Sequence, residues 1–245
     1  MRLSPVPHTS GPEGGFRWRA GESVTRLEGF SDAVFGFAVT LLVLSLDVPR
    51  TSHELLALFR GIPAFAASFA VLILIWHRHC LFFRRYALQD AVTTTINAVL
   101  LFLVACYVYP LKFLFTLVTD LLLDGRTPDI APEHGTTVMA MYAVGMVAVF
   151  GLLALLSARA WRLRAAIGLD AREQHMTVTS VQHLSIYCGV GTLAMVITGL
   201  GGPAALPWAG LSFVLLGPLC GMHGWWRGRS LPPASLPINT GRSHP

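Results

Sequence analysis

The residues best suited to chemistry stand at the start of an apolar run. Arg26-Leu27-Glu28-Gly29-Phe30-Ser31-Asp32 leads directly into Ala33-Val34-Phe35-Gly36-Phe37-Ala38-Val39-Thr40-Leu41-Leu42-Val43-Leu44. A carboxylate inside an apolar helix costs about 2.5 to 3.5 kcal/mol at the helix centre and less near the interface, so Asp32 is expected to be paired or functional. An acid that merely complements a helix N-terminus accounts for Glu28, in the first turn, and poorly for Asp32 beyond it. Two kinds of chemistry follow: a relay of protons or cations through the carboxylate, or polar bonds that tie neighbouring helices together.

A helical wheel divides the segment. At about 100° per residue with Phe37 as zero, Phe30 falls near +20°, Leu41 near +40°, Leu44 near −20°, Ala33 near −40° and Thr40 near −60°, a single stripe. Asp32 falls near −140° and Ser31 near +120°, away from that stripe and toward neighbouring helices. Partners for them are sought among the polar and amphipathic residues of the next two apolar segments, Trp76, His79 and Asn97. His77 and His79 lie two apart, on different faces of a helix, which argues against a shared metal. The chain carries no Walker loop, GxGxxG, GxSxG, HExxH or TVGYG sequence, so neither an enzyme nor a carbonyl-lined potassium filter is indicated.

The elements that hold these residues are membrane spans. Of 245 residues, 53% are hydrophobic and 13% charged, where a soluble domain carries roughly a quarter charged residues. Mean hydropathy is +0.59. A span needs about 20 apolar residues, and segments near 27–46, 55–76, 91–110 or beyond, and 136–157 qualify. The 53 residues between Glu173 and Arg227 contain no Asp, Glu, Lys or Arg; they suit two crossings turned at Gly199-Leu200-Gly201-Gly202-Pro203. The expectation is an all-α polytopic membrane protein with six spans.

The net charge of +5 is distributed by topology. Arg2, Arg17, Arg19 and Arg26, then Arg78, Arg84 and Arg85, then Arg159, Arg162, Arg164 and Arg172, and finally Arg227, Arg229 and Arg242 all fall on one side. Arg50, Arg60, Lys112 and Arg126 fall on the other, with Asp47, Glu54, Asp120, Asp124, Asp129 and Glu133. The positive-inside rule then places both termini in the cytoplasm. Basic residues beside apolar segments are not a nucleic-acid face. Cys80, Cys106, Cys188 and Cys220 are too dispersed for a disulfide framework or zinc site. The organisation expected is an N-terminal arm over 1–25 with no cleaved signal, a transmembrane domain over 26–229, and a disordered proline-containing tail over 230–245.

Arg26-x-x-x-Phe30-Ser31-Asp32 resembles the RxxxFSD signature of the transmembrane protein 175 family of potassium channels. Thr40-Leu41-Leu42, Ser68-Phe69 with Trp76-x-x-His79, and Asn97 with Pro110 are similar to further family patterns, so the likeness covers residues 26 to 112. The resemblance implies a homotetramer with the first span of each subunit lining one central pore. It implies pore-lining roles for Phe37, Thr40, Leu41 and Leu44: an apolar constriction at Phe37, where relatives carry Ile or Leu, and a ring of Thr40 hydroxyls. It also implies a motif network of Arg26, Phe30, Ser31, Asp32, Trp76, His79 and Asn97, with Cys80 where many relatives have a second histidine. The function expected is passive, weakly to moderately potassium-selective conduction in the cytoplasmic membrane, with K+ as permeant ion and no cofactor. The alternatives are a proton or cation transporter using Asp32 and His79 as relay groups, and a scaffold whose apolar stripe is an oligomer core.

Overall fold

The computed structural model describes residues 16, 18, 19, 24–46, 48–125 and 134–232. The charged positions Arg2, Arg17, Asp47, Arg126, Asp129, Glu133 and Arg242 and the tail beyond 232 lie outside the described residues. Within them the chain is helical: α1 (Arg26–Leu44), α2 (Ser52–Tyr86), α3 (Ala91–Asp124), α4 (Gly135–Arg162), the short α5 (Arg164–Ile167) and α6 (Ala171–Gly201). A 3-10 turn (Gly202–Ala205) leads into α7 (Leu206–Ser212), and a second one (Phe213–Leu215) into α8 (Leu216–Arg229).

Capping chemistry sets these ends. Thr25 accepts from the Glu28 amide at 3.2 Å while Glu28 accepts from the Thr25 amide at 3.0 Å, a reciprocal box that satisfies two orphan donors of α1. Asp170 and Glu173 repeat it at the start of α6. The α3 helix stops at Gly125, φ 62°, and the α5 turn at Gly168, φ 69°, both left-handed positions that glycine adopts without a Cβ penalty. Because caps rather than hydropathy end the helices, α2 and α3 run to 35 and 34 residues, about 50 Å each at 1.5 Å per residue and well beyond the roughly 30 Å of a hydrocarbon core.

Five helical stretches are long and apolar enough to cross a membrane, the last covering Ala171–Arg229. That stretch is folded in two. Gly202, with φ 57° and ψ −150°, ends α6, and α7 and α8 then return along it: Arg227 Nε donates to Thr179 Oγ1 at 3.0 Å and His223 meets Gln182 Oε1 at 3.2 Å. The apolar stretch expected to turn near Gly199–Pro203 therefore reverses at Gly202.

The main core lies where α1, α2, α3, α4 and α6 converge, with Phe35, Ala38, Leu42, Leu72, Ile75, Leu100, Val104, Val149 and Leu156 buried. The α4 and α6 pair packs most intimately. A Cβ on Gly191 would stand 2.8 Å from Val147 Cγ2 and 3.2 Å from the Ala143 carbonyl oxygen, the small-residue approach by which helices pack in lipid.

The N-terminal arm is pinned at the arginine-rich end. Phe16 is fully buried with its ring edge-on to Tyr86. Arg19 donates to both carboxylate oxygens of Glu173, at 3.2 and 2.6 Å, and to the carbonyls of Ile167 and Gly168 at 3.1 and 3.0 Å. Glu173 is fully buried, so an isolated carboxylate there would be very costly. The arm thus holds α2 and α6 together immediately before α1 begins.

Candidate functional site

The residues of α1 sort by azimuth. Ser31, Phe35, Ala38 and Leu42 are buried, and on the wheel they cluster near about +130°. Arg26, Gly29, Phe30, Asp32, Ala33, Gly36, Phe37, Thr40, Val43 and Leu44 are exposed; they fill an arc from about −140° to +20°, with Thr40 near its middle. Phe37 is 58% and Leu44 71% exposed. Leu41, on the edge of the arc, is half-buried against the chain's own core. Apart from Trp76 and Cys80 of α2, which meet Asp32 at its margin, this face is exposed, although it is apolar along most of its length.

Thr40 carries the face's one hydroxyl. It donates to the Gly36 carbonyl at 3.0 Å, which commits its proton to the helix and leaves the oxygen lone pairs for an outside partner. An oxygen so held is an acceptor, suited to a cation.

The polar residues behind the face form two hydrogen-bond systems. The buried one links three helices. Ser31 Oγ donates to the Leu27 carbonyl at 2.8 Å, Asn97 Nδ2 donates to Ser31 Oγ at 3.0 Å, and His79 Nε2 meets Asn97 Oδ1 at 2.7 Å. Because Asn97 already donates to Ser31, its Oδ1 accepts, which makes His79 the Nε2–H tautomer. Ser31, Asn97 and His79 are each no more than 1% exposed, and the imidazole lies between Phe35 and Phe83, with ring centroids 5.4 and 4.7 Å away.

The second system is exposed. Trp76 Nε1 donates to Asp32 Oδ1 at 2.9 Å, and the Cys80 thiol lies 3.8 Å from the same oxygen. Trp76 and Cys80 are one helical turn apart and so share a face, the spacing from which the thiol's place beside Asp32 was legible. Asp32 and His79, the two proposed relay groups, sit in separate systems. Arg26 and Phe30 lie exposed and belong to neither. Lys112, unsuspected from the sequence, clamps the far end of α1 by donating to the Ser45 carbonyl at 2.6 Å. Among the described residues no cluster of three or more metal-ligating side chains occurs.

Known proteins resemble this arrangement. The family model described as endosomal/lysosomal potassium channel TMEM175 matches residues 26–107. A potassium channel of Marivirga tractuosa is 36% identical over 187 residues, covering 73% of this chain and 76% of that protein. One from Streptomyces collinus is 29% identical over 160 residues, covering 58% of this chain and 76% of its own length. Among solved structures, the T38A variant of the potassium channel MtTMEM175, in complex with a nanobody–MBP fusion, superimposes with a TM-score of 0.78 at 32% identity, over 89% of this chain and 99% of that one. The lysosomal potassium-selective channel TMEM175 homolog from Chamaesiphon minutus shares the fold with a TM-score of 0.55 at 23% identity, over 82% of this chain and 96% of its own.

Proposed function

The chain belongs to the TMEM175 family of potassium channels, and on that premise we propose that it is a multi-pass membrane channel for K+ in which the exposed face of α1 lines the pore. It is a channel and not an enzyme. The observation that carries the reading is the arc itself: an apolar helix face left bare by its own subunit, with Phe37 and Leu44 at its edge and the Thr40 oxygen at its middle.

Four copies of α1 about one axis close that arc into a pore. Phe37 then supplies an apolar constriction that excludes water when narrow, and the four Thr40 oxygens replace part of the hydration shell of a passing cation. Leu44 extends the apolar lining outward; Leu41 borders it from the subunit side. The buried Ser31–Asn97–His79 bonds fix the rotation of α1 about its own axis, and hence which residues face the pore. In this reading K+ is the permeant ion, no cofactor takes part, both termini are cytoplasmic and the membrane is the cytoplasmic one.

The test is potassium flux from proteoliposomes loaded with potassium and diluted into sodium, driven by membrane potential, with an ionophore control. Gradient-driven potassium flux that discriminates against sodium is expected. A saturable flux coupled to protons and abolished by Asp32→Asn would overturn the channel in favour of a transporter.

A further inference from the structure

The end of α8 is held to α6 by polar groups at helical spacing, and no residue of α8 is buried. His175 Nε2 donates to the Arg227 carbonyl at 3.2 Å, and Arg227 Nε donates to Thr179 Oγ1 at 3.0 Å. One turn further along, the Tyr187 hydroxyl and the Cys220 thiol are in hydrogen-bond contact. Between these lies His223. Its Nε2 meets Gln182 Oε1 at 3.2 Å; an amide oxygen only accepts, so Nε2 carries the proton and Nδ1 is bare. That Nδ1 is shut off from solvent and has no hydrogen-bond partner. The His183 ring stands beside it, the two centroids 5.7 Å apart.

The charge around this pair has one sign. Arg78 of α2 acts on His183 and Arg227 of α8 acts on His223, while no carboxylate acts on either ring. Residues 174–226 contain no Asp or Glu, and Glu173 is engaged by Arg19. From α4 the neighbour is apolar, Phe150 stacked on Tyr187 at 4.2 Å, and Tyr187 in turn lies 6.0 Å from the His183 ring. A proton added to His223 has to go to Nδ1, where the attached helix offers it no acceptor and only like charge. Leaving a buried charge without a partner is costly, and in a released helix water hydrates the same nitrogen. The His175 bond does not share this weakness, because an imidazolium still donates from Nε2.

We propose that the contact between α6 and α8 is an acid-released latch: uptake of a proton at His223 Nδ1 detaches residues 223–229 from α6, and a charge on His183 reinforces the release. The proton binds the detached form in preference to the attached one, so lowering the pH shifts the balance toward detachment. Histidine's ordinary pKa of about 6.5 places the change just below neutrality. The device lies in the last hairpin of the chain and stands whether or not α1 lines a pore.

The experiment is hydrogen–deuterium exchange of the purified full chain in detergent from about pH 7.5 to about pH 5.5, with exposure times scaled for the intrinsic pH dependence of amide exchange. Mass spectrometry then reads peptides from α8 and, for comparison, from α4. One histidine that takes its proton only when released, with an ordinary pKa of about 6.5, raises release about tenfold over that interval. About tenfold faster exchange of amides 223–229 is therefore expected, with α4 unchanged. His223→Gln keeps an amide donor for Gln182 and takes up no proton, so its exchange should not respond to acid. If His223→Gln is unprotected already at neutral pH, His183→Gln replaces it in the test, and its response should be smaller than the parent's because one charge is gone. No response in the parent, or a response in His223→Gln equal to the parent's, would overturn the proposal. So would an undiminished response in His183→Gln where that variant decides, or a rise in α4 as large as in α8, which would mean general unfolding.

Discussion

His79 on α2 donates from Nε2 to Asn97 Oδ1 on α3 at 2.7 Å, and Asn97 in turn donates to Ser31 on α1 at 3.0 Å. One asparagine thereby satisfies a donor on one neighbour and an acceptor on another, in a place from which water is excluded. Removing either amide atom strands a buried group. Asn97→Ala is expected to destabilise the fold by about 1–3 kcal/mol for each group left unpaired. Asn97→Asp keeps an acceptor for His79 and loses the donor to Ser31, so it should cost differently. Chemical unfolding of the purified variants in detergent measures both, and an Asn97→Ala as stable as the parent would remove the network from any role in orienting α1.

The face of α1 makes a prediction about access. Cysteine placed at Thr40 should react with a water-soluble thiol reagent in the conducting protein and lower its flux, while cysteine at Ala38, fully buried only two residues earlier, should not react. Phe37→Ala should raise potassium flux several-fold if the phenyl rings narrow the pore, because an apolar constriction dewets more readily the narrower it is. Protection of Thr40→Cys under conducting conditions would show that the bare arc of α1 faces another helix and not water.

The Arg19–Glu173 pair predicts a large asymmetry. With Glu173 fully buried and Arg19 the donor to both of its oxygens, Arg19→Ala removes two charge-assisted hydrogen bonds from a buried carboxylate and should cost about 3–5 kcal/mol. Arg19→Ala combined with Glu173→Gln should recover part of that loss, since the charge is gone. The measurement is thermal unfolding of the two variants against the parent. Additive costs would mean that the two side chains do not depend on each other.

Asp90, in the connection between α2 and α3, gives a dependence on acid. Its carboxylate accepts from the Thr93 hydroxyl at 2.6 Å and from the Arg159 guanidinium at 2.5 Å; the Thr93 bond foremost, then the Arg159 bond and charge, hold its pKa down at about 2 against an ordinary 3.8. A depressed folded pKa contributes stability that is complete above the unfolded value and is lost as the pH falls through the folded one. Melting temperature should therefore decline between pH 3.8 and about 2 in the parent and decline less in Asp90→Asn. The change is modest, because the Asp90 side chain is 41% exposed and solvent screens the pair.

Much of this protein was legible in the sequence because lipid imposes a coarse rule. Apolar segments of spanning length, the arginine-rich ends and the motif around Ser31 and Asp32 all followed from composition and order, since a backbone in hydrocarbon has to satisfy itself as helix. The wheel also placed Phe37, Thr40 and Leu44 on one stripe of α1, because helical periodicity is fixed by geometry. The stripe's neighbours were another matter. Leu41 turned inward and Gly29, Gly36 and Val43 outward, since the width and centre of a bare face depend on which helices pack beside it. The division of the polar cluster into a buried Ser31–Asn97–His79 chain and an exposed Asp32–Trp76–Cys80 group, and the Arg19–Glu173 pair, join residues far apart in the chain. Local sequence determined which helices form and which faces are polar; only the packing of α1 against α2 and α3, and of α6 against α4, decided which of those polar atoms meet, because a hydrogen bond requires two groups within about 3 Å of each other and spacing along one helix says nothing of its distance to another.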